Sequence, residues 1–384
     1  MKIIRLLTLP LVFITIVSCN QNSSNNKQVI EKYWESLDSS GFSVYLGNTI
    51  EKQRVFTNSI TADMETDEVA SQPKVDAADD PAIWVNIEYP EKSLVLGTNK
   101  KGGIHVYNMD GKELQYIQSG CMNNIDLRDG FVYKEQEVVL VASSNCTLNS
   151  ISLFYIDKTN QTLSDTILNI KSSVDLVYGV CMYKSSITEK YYVFVNGEGA
   201  DVEQWEIYSE NEELKSELVR SFKVSSRPEG MVADDAENVL YLGVEEEGIL
   251  KIKAEPEFEF ETNWVEGSNP TDRSLVSSDI EGLALYKTDS KTYLIASSQG
   301  NFSYPVFEMG DPDKYLFSFV IDDGEIDGVI ETDGLEITNY PVNEKFPKGM
   351  LIVHDGYNFS GDTIKNQNFK FVNWEKIEEL IKTQ

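Results

Sequence analysis

A short motif that opens an apolar strand recurs six times in this sequence, once in about every 50 residues. Each copy starts with an acidic residue, or in one case with a turn, and continues as a strand-like run. The six copies are Asp80-Pro81-Ala82-Ile83-Trp84, Asp126-Leu127-Arg128, Tyr178-Gly179-Val180-Cys181-Met182, Glu229-Gly230-Met231-Val232, Glu281-Gly282-Leu283-Ala284-Leu285 and Asp333-Gly334-Leu335-Glu336-Ile337. Two more strand-like runs follow most copies, as at residues 93–98 and 103–107. A period near 50 residues with four short strands per unit is typical of propeller blades. The sequence therefore predicts an all-β fold, a six-bladed β-propeller with four antiparallel strands in each blade.

The two ends of the propeller are predicted to meet. Residues 31–74 have little periodicity and contain one apolar run at residues 42–46. Propellers commonly complete their last blade with a strand from the opposite terminus, so we expect this segment to supply one strand that pairs with residues 368–372. The chain then ends in a predicted short amphipathic helix, whose N-cap and apolar stripe are Asn373, Trp374, Ile377, Leu380 and Ile381.

Residues 1–18 have the features of a bacterial lipoprotein signal peptide. Lys2 and Arg5 lie at the start of the segment, and an apolar core from Ile3 to Val17 leads to Ser18-Cys19. This core is too short to span a bilayer as a helix. We expect Cys19 to be lipidated, with an uncleaved membrane anchor as the alternative. Residues 19–58 then form the anchor, a polar tether and a lead-in, and residues 59–384 form the propeller domain. The predicted location is the bacterial cell envelope, facing the periplasm or on the outer membrane, with membrane contact only through the lipid.

The acidic balance of the chain constrains its partners. The formal net charge is -30 at pH 7, which argues against nucleic acid or a bare anionic membrane as a ligand. Acids concentrate at the motif openings and in three further places, Glu245-Glu246-Glu247, Asp322-Asp323 and Asp327. Propeller loops converge on one face, and converging carboxylates need cations between them.

The available metal ligands are oxygens. The sequence has no nucleophile elbow, no phosphate-cradling glycine-rich loop and no helical zinc pair, and its only histidines are His105 and His354. A histidine nucleophile or a histidine-rich metal site is therefore not expected. Carboxylate, amide and backbone carbonyl oxygens are hard ligands that suit calcium.

Three cysteines remain after Cys19. Cys181 lies within an apolar strand and is predicted to be a buried thiol. Cys121 precedes an opening strand and Cys146 lies in the loop after residues 139–142. In an oxidising compartment we predict that Cys121 and Cys146 form a disulfide.

From about residue 59 to residue 374 the chain resembles the β-propeller phytases, the calcium-dependent alkaline phytase family. The motifs that carry the resemblance occur in order, and they are Asp76-Ala77-Ala78-Asp79-Asp80-Pro81-Ala82-Ile83-Trp84, Asn99-Lys100-Lys101-Gly102-Gly103, Asn123-Asn124-Ile125-Asp126, Asp279-Ile280-Glu281-Gly282-Leu283, Ala296-Ser297-Ser298-Gln299-Gly300-Asn301 and Asn366-Gln367-Asn368-Phe369. The resemblance implies hydrolysis of phytate (myo-inositol hexakisphosphate) to phosphate and lower inositol phosphates by a metal-activated water. It also implies several calcium ions, some structural and some catalytic.

The resemblance assigns roles to particular residues. The acids that ligate the active-site calcium ions are Glu229, Glu245, Asp279, Glu281 and Asp327. The residues expected at the substrate are Lys100, Asp79 and Tyr178. The expected structural calcium ligands are Asp80 with the carbonyls of Pro81 and Ile125, Gln299 with Glu281, and Asp355 with Asn358. The expected partner is phytate or another phosphate ester, and the expected state is a monomer.

Two basic residues that the family uses for substrate phosphate are unmatched. The family's Ser-Asn-Arg stands here as Ser144-Asn145-Cys146, and its Gly-Lys-Glu-Gly stands as Asn196-Gly197-Glu198-Gly199. Lys184 and Arg227 are the nearby cations that could compensate. We expect lower efficiency on phytate or a preference for a less phosphorylated ester. The alternatives are a non-catalytic propeller that binds calcium and a phosphate ester, and a calcium-dependent lactonase or esterase.

Overall fold

Six small antiparallel sheets form a ring in the computed structural model, which describes residues 42–258, 260–268, 276–277 and 279–384. The first strand of each sheet contacts the first strands of its neighbours, and that of the sixth sheet contacts that of the first. These contacts close the ring and confirm the predicted six-bladed β-propeller. The predicted signal peptide, lipidation at Cys19 and most of the tether lie outside the described residues.

The blades are numbered in chain order, and the first strand of each is its inner strand. Blade 1 contains Ala78–Trp84, Leu94–Asn99, Gly103–Tyr107 and Glu113–Gln118. Blade 2 contains Met122–Tyr133, Gln136–Asn145 and Ser150–Asp157, with Thr162–Leu163 and Leu168–Lys171 both paired to the third strand. Blade 3 contains Val177–Lys184, Tyr191–Gly197, Asp201–Glu210 and Glu213–Lys223. Blade 4 contains Pro228–Asp234, Val239–Val244, Gly248–Lys253 and Asn263–Trp264.

The last two blades include strands from the N-terminal side. Blade 5 contains Ile280–Lys287, Thr292–Ser298, Tyr304–Met309 and Lys314–Asp322, with Ser59–Thr61 added in parallel at its outer edge. Blade 6 contains Leu335–Thr338, Met350–Asp355, Asn368–Asn373 and Met64–Glu65. Elements outside the blades are helix α1 (Phe42–Gln53), helix α2 (Trp374–Lys382), the 3-10 turns Pro90–Lys92 and Gln299–Asn301, and a small hairpin of Phe359–Ser360 with Thr363–Ile364.

Ring closure occurs where the sequence predicted it. Met64–Glu65 pairs antiparallel with Asn368–Asn373, so the N-terminal segment supplies the outer strand of blade 6. The apolar run at residues 42–46 is not that strand, because it belongs to helix α1. Helix α1 buries Ile50 in a small cluster with Phe302 and Ile330, so tertiary packing there uses a helical face.

The C-terminal helix also matches the prediction. The side chain of Asn373 caps it by accepting a hydrogen bond of 2.9 Å from the backbone N–H of Glu375. Trp374 and Ile377 are buried, and the Trp374 ring stacks on Tyr286 with centroids 3.5 Å apart. Within the described residues no helix is long and apolar enough to cross a membrane.

The hydrophobic core is divided into layers between blades. Each pair of neighbouring blades encloses one cluster of buried apolar side chains, including the pair formed by blades 6 and 1. Leu96 and Val141, for example, meet between blades 1 and 2. Because every blade is packed on both faces, the inner strands are held rigidly, and the residues at their starts have fixed positions.

Candidate active site

The inner strands share a β-bulge near their starts. In blades 1 to 5 the pairing register with the second strand shifts at the same place, for example between Pro228 and Met231 in blade 4. The pairing of Leu335 with Val353 places Asp333 at the equivalent position in blade 6. The six equivalent residues, here called the bulge ring, are Asp79, Asn123, Tyr178, Glu229, Glu281 and Asp333. Bulges re-aim side chains and are common beside active sites.

The bulge ring corrects the repeat alignment in the first two blades. The residues that correspond to Glu229 are Asp79 and Asn123, whereas the sequence motif aligned Asp80 and Asp126 with it. Alternating hydrophobicity does not reveal an extra residue in a strand. The pattern alone therefore placed the start of the motif one residue too late in blade 1 and three residues too late in blade 2.

Glycine after the bulge ring residue allows the blades to approach closely. A Cβ atom at Gly230 would lie 1.6 Å from the backbone oxygen of Glu281, and one at Gly179 would lie 2.1 Å from that of Glu229. Asn196 strengthens the second contact, because its amide donates to the Glu229 carbonyl and accepts from the Gly179 N–H, both at 2.8 Å. The bulge ring residues of neighbouring blades are therefore brought together around the axis.

Glu229 and Glu281 form a buried carboxyl pair. They are 3% and 9% exposed. Burial raises the pKa of Glu229 well above its usual range, and the neighbouring Glu281 charge adds to this. Burial likewise raises the pKa of Glu281 to about 8. Oε2 of Glu229 is buried and accepts no hydrogen bond from a donor among the described residues. Two desolvated acids side by side favour a shared proton or a bound cation.

One ammonium group, that of Lys100, forms ion pairs with three acids beside this carboxyl pair. Nζ of Lys100 lies 2.8 Å from Asp76, 3.0 Å from Asp79 and 3.0 Å from Asp333. Burial raises the pKa of Asp79 to about 7 although Lys100 favours its ionised form. Burial also opposes ionisation of Asp333, but the charges of Lys100 and His354 and the hydrogen bonds from Lys100 and Asp79 together outweigh it and lower the pKa of Asp333. Lys100 and Asp79 thus lie together, as the resemblance implied.

Asp333 is a member of this group that was not chosen from the sequence. Its backbone N–H donates to Nδ1 of His354 at 3.1 Å, and the side-chain amide of Gln299 donates to its carboxylate. Gln299 therefore contacts Asp333, whereas the resemblance paired it with Glu281. A signal was present, because Asp333-Gly334 occupies the same repeat position as Glu229-Gly230 and Glu281-Gly282.

Glu245 links blades 4 and 5 at the edge of the bulge ring. Its carbonyl accepts a hydrogen bond of 2.8 Å from the backbone N–H of Asp279, which has a positive φ of 61°. Its carboxylate lies 2.7 Å from Nε of Arg227. Burial raises the pKa of Glu245 to about 7, opposed by Arg227 and supported by the charge of Asp279. The guanidinium of Arg227 in turn stacks over the Tyr178 ring at 4.4 Å from its centroid.

Asp327 lies in a different cluster from Glu229 and Glu281. Nζ of the fully buried Lys370 is 2.5 Å from Asp327 and 3.4 Å from both Asp355 and Asn358, and it also donates to Glu65. The second oxygen of Asp327 accepts the Phe359 N–H at 2.6 Å. The structure thus brings Asp327 together with Asp355 and Asn358, the predicted structural pair. Burial raises the pKa of Asp355 to about 8 in spite of Lys370.

Asp80 follows the bulge ring in blade 1. Its Oδ2 accepts the backbone N–H of Ile125 at 3.0 Å, and its own N–H donates to Oγ1 of Thr98 at 2.9 Å. Burial raises its pKa well above the usual range. Asp80, Pro81 and Ile125 also line a central cavity of about 260 Å³ between the inner strands.

A disulfide joins Cys121 to Cys146, with the Cα atoms 5.4 Å apart. The backbone N–H of Cys146 also donates to the Cys121 carbonyl at 3.0 Å. The position that carries an arginine in the resembled family is therefore part of a cross-link at the start of blade 2. Cys181 is a fully buried free thiol.

The acids fit a hard cation by their chemistry. Within the described part of the chain, no three His, Cys, Asp or Glu side chains converge into a ready metal site. However, the available ligand atoms are oxygens, they are desolvated, and Oε2 of Glu229 is buried without a hydrogen-bond donor among the described residues. Such oxygens are stabilised by a cation that accepts flexible oxygen geometry, as calcium does.

The fold and the site together define a six-bladed β-propeller whose inner strands start in a cluster of desolvated acids. The protein-family model described as Phytase matches residues 34–384. The chain is also 39% identical over 330 residues to a 3-phytase of Bacillus subtilis (strain 168). This alignment covers 84% of this chain and 85% of that relative. The chain therefore belongs to the phytase family.

Two solved structures share a looser likeness. One is a functionally unknown protein from Desulfotomaculum acetoxidans DSM 771, with a TM-score of 0.41, 15% identity, and coverage of 62% of this chain and 70% of that chain. The other is BBS1N in complex with ARL6DN, with a TM-score of 0.40, 9% identity, and coverage of 72% and 74%. At these TM-scores neither likeness bears on function.

Proposed function

We propose that this protein is a calcium-dependent phosphomonoesterase that hydrolyses phytate to lower inositol phosphates and phosphate. The observation that carries the proposal is the cluster of buried acids around a single lysine, Lys100. The cluster, in a chain of net charge -30, repels a polyphosphate ester unless cations lie between them. Membership of the phytase family and the likeness to a 3-phytase support the same substrate.

Glu229, Glu245, Asp279 and Glu281 would hold the catalytic calcium ions. When bound there, calcium supplies charge neutralisation of the phosphate and a lowered pKa for a bound water. Lys100, positioned by Asp79 and Asp333, contacts a phosphate oxygen as a point charge. Burial raises the pKa of Tyr178, so its hydroxyl stays protonated and is able to donate a hydrogen bond.

The remaining acids have a structural role in this proposal. Asp327, Asp355 and Asn358 surround Lys370 away from the carboxyl pair, so we assign Asp327 to a structural calcium site with the other two. Asp80 with Pro81 and Ile125 would form a second one. Gln299, hydrogen-bonded to Asp333, would orient that acid.

We further propose that the protein acts in the bacterial cell envelope as a monomer anchored by a lipid on Cys19. A disulfide between Cys121 and Cys146 suits an oxidising compartment of that kind. Labelling with a radioactive fatty acid, compared between the natural chain and Cys19→Ala, tests the anchor. Equal labelling of the two chains would contradict it.

Phosphate release from phytate by the purified protein tests the enzymatic proposal. We expect release with calcium, loss of release with excess chelator, and recovery when calcium is restored. A folded protein that gains thermal stability from calcium but releases no phosphate would be the non-catalytic binding propeller. Hydrolysis of a simple lactone without phosphate release would instead identify the lactonase.

A further inference from the structure

Arg227 is a cation at the edge of the bulge ring, outside the residues assigned above to calcium or phosphate. It lies two residues before Glu229, and its carbonyl accepts the Glu245 N–H at 3.1 Å, which extends the pairing of blade 4. Its side chain is 37% exposed, whereas Glu229 is almost completely buried. Arg227 is therefore at the solvent side of the carboxyl pair.

The guanidinium is held on one side and open on the other. Nε lies beside Glu245, and the plane of the group covers the Tyr178 ring. These two contacts restrict the rotamer, since a stacked guanidinium paired with a carboxylate has little freedom to turn. The two terminal Nη groups have no hydrogen-bond partner among the described residues. These two Nη groups are the donors with which an arginine binds two oxygens of one phosphate in a bidentate manner.

Arg227 contacts blade 3, the blade whose loop lacks a lysine, through the Tyr178 ring. Glu198 of the Asn196-Gly197-Glu198-Gly199 loop acts electrostatically on Glu245, the acid that Arg227 contacts. Lys184, the other nearby cation in sequence, is at the far end of the inner strand of blade 3. That strand extends six residues beyond Tyr178, about 20 Å. Lys184 contacts Glu189 and the Tyr191 ring there.

We propose that Arg227 is a substrate-specificity residue that binds a phosphate group neighbouring the one that is cleaved. The inference rests on the proposed hydrolysis of phytate. The exposed position of Arg227 favours a neighbouring phosphate, because the reacting phosphate must reach the deeper acids Glu229 and Glu281. A ligand with several phosphates then gains a contact that a single phosphate does not need.

Steady-state kinetics of Arg227→Gln, Arg227→Lys and a matched control, Lys184→Gln, test the proposal. At saturating calcium we expect Arg227→Gln to raise KM for phytate about 10- to 100-fold, as for the loss of charged hydrogen bonds, with kcat within about threefold. Arg227→Lys keeps the positive charge but loses the paired Nη donors, so its KM for phytate should lie between those of the natural protein and Arg227→Gln. The inhibition constant of inorganic phosphate should stay unchanged in all three variants, because a single phosphate uses the metal site. Lys184→Gln should match the natural protein throughout.

Two results would overturn this role. The first is an unchanged KM for phytate in Arg227→Gln. The second is an equal loss of phytate turnover and phosphate inhibition together with a lower Tm, which would make Arg227 a structural support for Glu245. If the natural protein releases no phosphate, the proposed activity fails, and calorimetric titration with phytate and calcium decides the question for Arg227. Weaker binding in Arg227→Gln supports the role, and equal or absent binding in both proteins refutes it.

Discussion

Replacing Glu281 by glutamine should change how the stability of the metal-free protein depends on pH. A carboxyl whose pKa is raised in the folded state keeps its proton there, while the unfolded chain releases it above about pH 4.5. Stability is therefore lost as the pH rises from that value to about 8, at about 1.4 kcal/mol per pH unit for each such group. The glutamine is nearly isosteric and does not titrate, and it also removes the charge that opposes ionisation of Glu229.

The expected effect is large enough to measure as a melting temperature. For a folded domain of this size, about 1.4 kcal/mol corresponds to about 2 °C. In excess chelator, the Tm of Glu281→Gln should fall less steeply than that of the natural protein between pH 5 and pH 8, by about 2 °C per pH unit. Added calcium should stabilise the natural protein more at high pH, where the carboxyl pair is ionised more easily, and should stabilise the variant less.

Differential scanning calorimetry at several pH values, with chelator and with calcium, provides the assay. The matched control is Glu217→Gln, an exposed acid on the outer strand of blade 3. It should follow the natural protein under all conditions. Parallel curves for the natural protein and Glu281→Gln, with equal stabilisation by calcium, would refute the description of Glu229 and Glu281 as a desolvated, cation-seeking pair.

Three other substitutions test the structure. Lys370→Met should destabilise the metal-free protein by about 3 to 5 kcal/mol in urea unfolding, because buried Asp327 and Asp355 lose their ammonium partner; a change below about 1 kcal/mol would contradict this. Replacing both Cys121 and Cys146 by serine should lower the free energy of unfolding by about 3 kcal/mol, or the Tm by about 4 °C, because the cross-link joins residues with a sequence separation of 25. An unchanged Tm under non-reducing conditions would argue against the cross-link. Gly230→Ala should abolish phosphate release and lower the Tm, because its Cβ would overlap the Glu281 carbonyl. Gly47→Ala in helix α1 meets open space and replaces a helix-interior glycine, so it should keep full activity and should not lower the Tm. A fully active Gly230→Ala would show that the inner strands are not in close contact.

Local features of the sequence were sufficient for the architecture. The repeat length predicted the number of blades, since each unit must bury both faces of its sheet against a neighbour. The capping of α2 by Asn373 followed from a pattern within a few residues. That a strand from residues 31–74 would pair with residues 368–372 followed from the way propellers close, and the structure identifies this strand as Met64–Glu65. The secondary structure of residues 42–46 was harder to predict, because a short apolar run is compatible with either a strand or a helix, and only its packing partner distinguishes them.

The site was predictable in part. Lys100 and Asp79 were expected at one place, and the structure brings them together. Asp333 was missed, and Asp327 was grouped with acids from which the structure separates it. Both are acids in a short irregular segment before the inner strand of blade 6, and the signal that separates them is that Asp333, unlike Asp327, occupies the repeat position of Glu229 and Glu281.

The sequence by itself determined the repeat, the six blades, the closing strand, and the supply of oxygen ligands in an acidic chain, because these depend on residue type and on spacing within a unit. Only the tertiary structure decided which acids meet, that Asn123 and not Asp126 belongs to the bulge ring, and that Arg227 and not Lys184 lies beside it. The physical reason is that these contacts form between residues of different blades. They depend on the bulge register of each inner strand and on closure of the ring, which join residues about 50 or more positions apart.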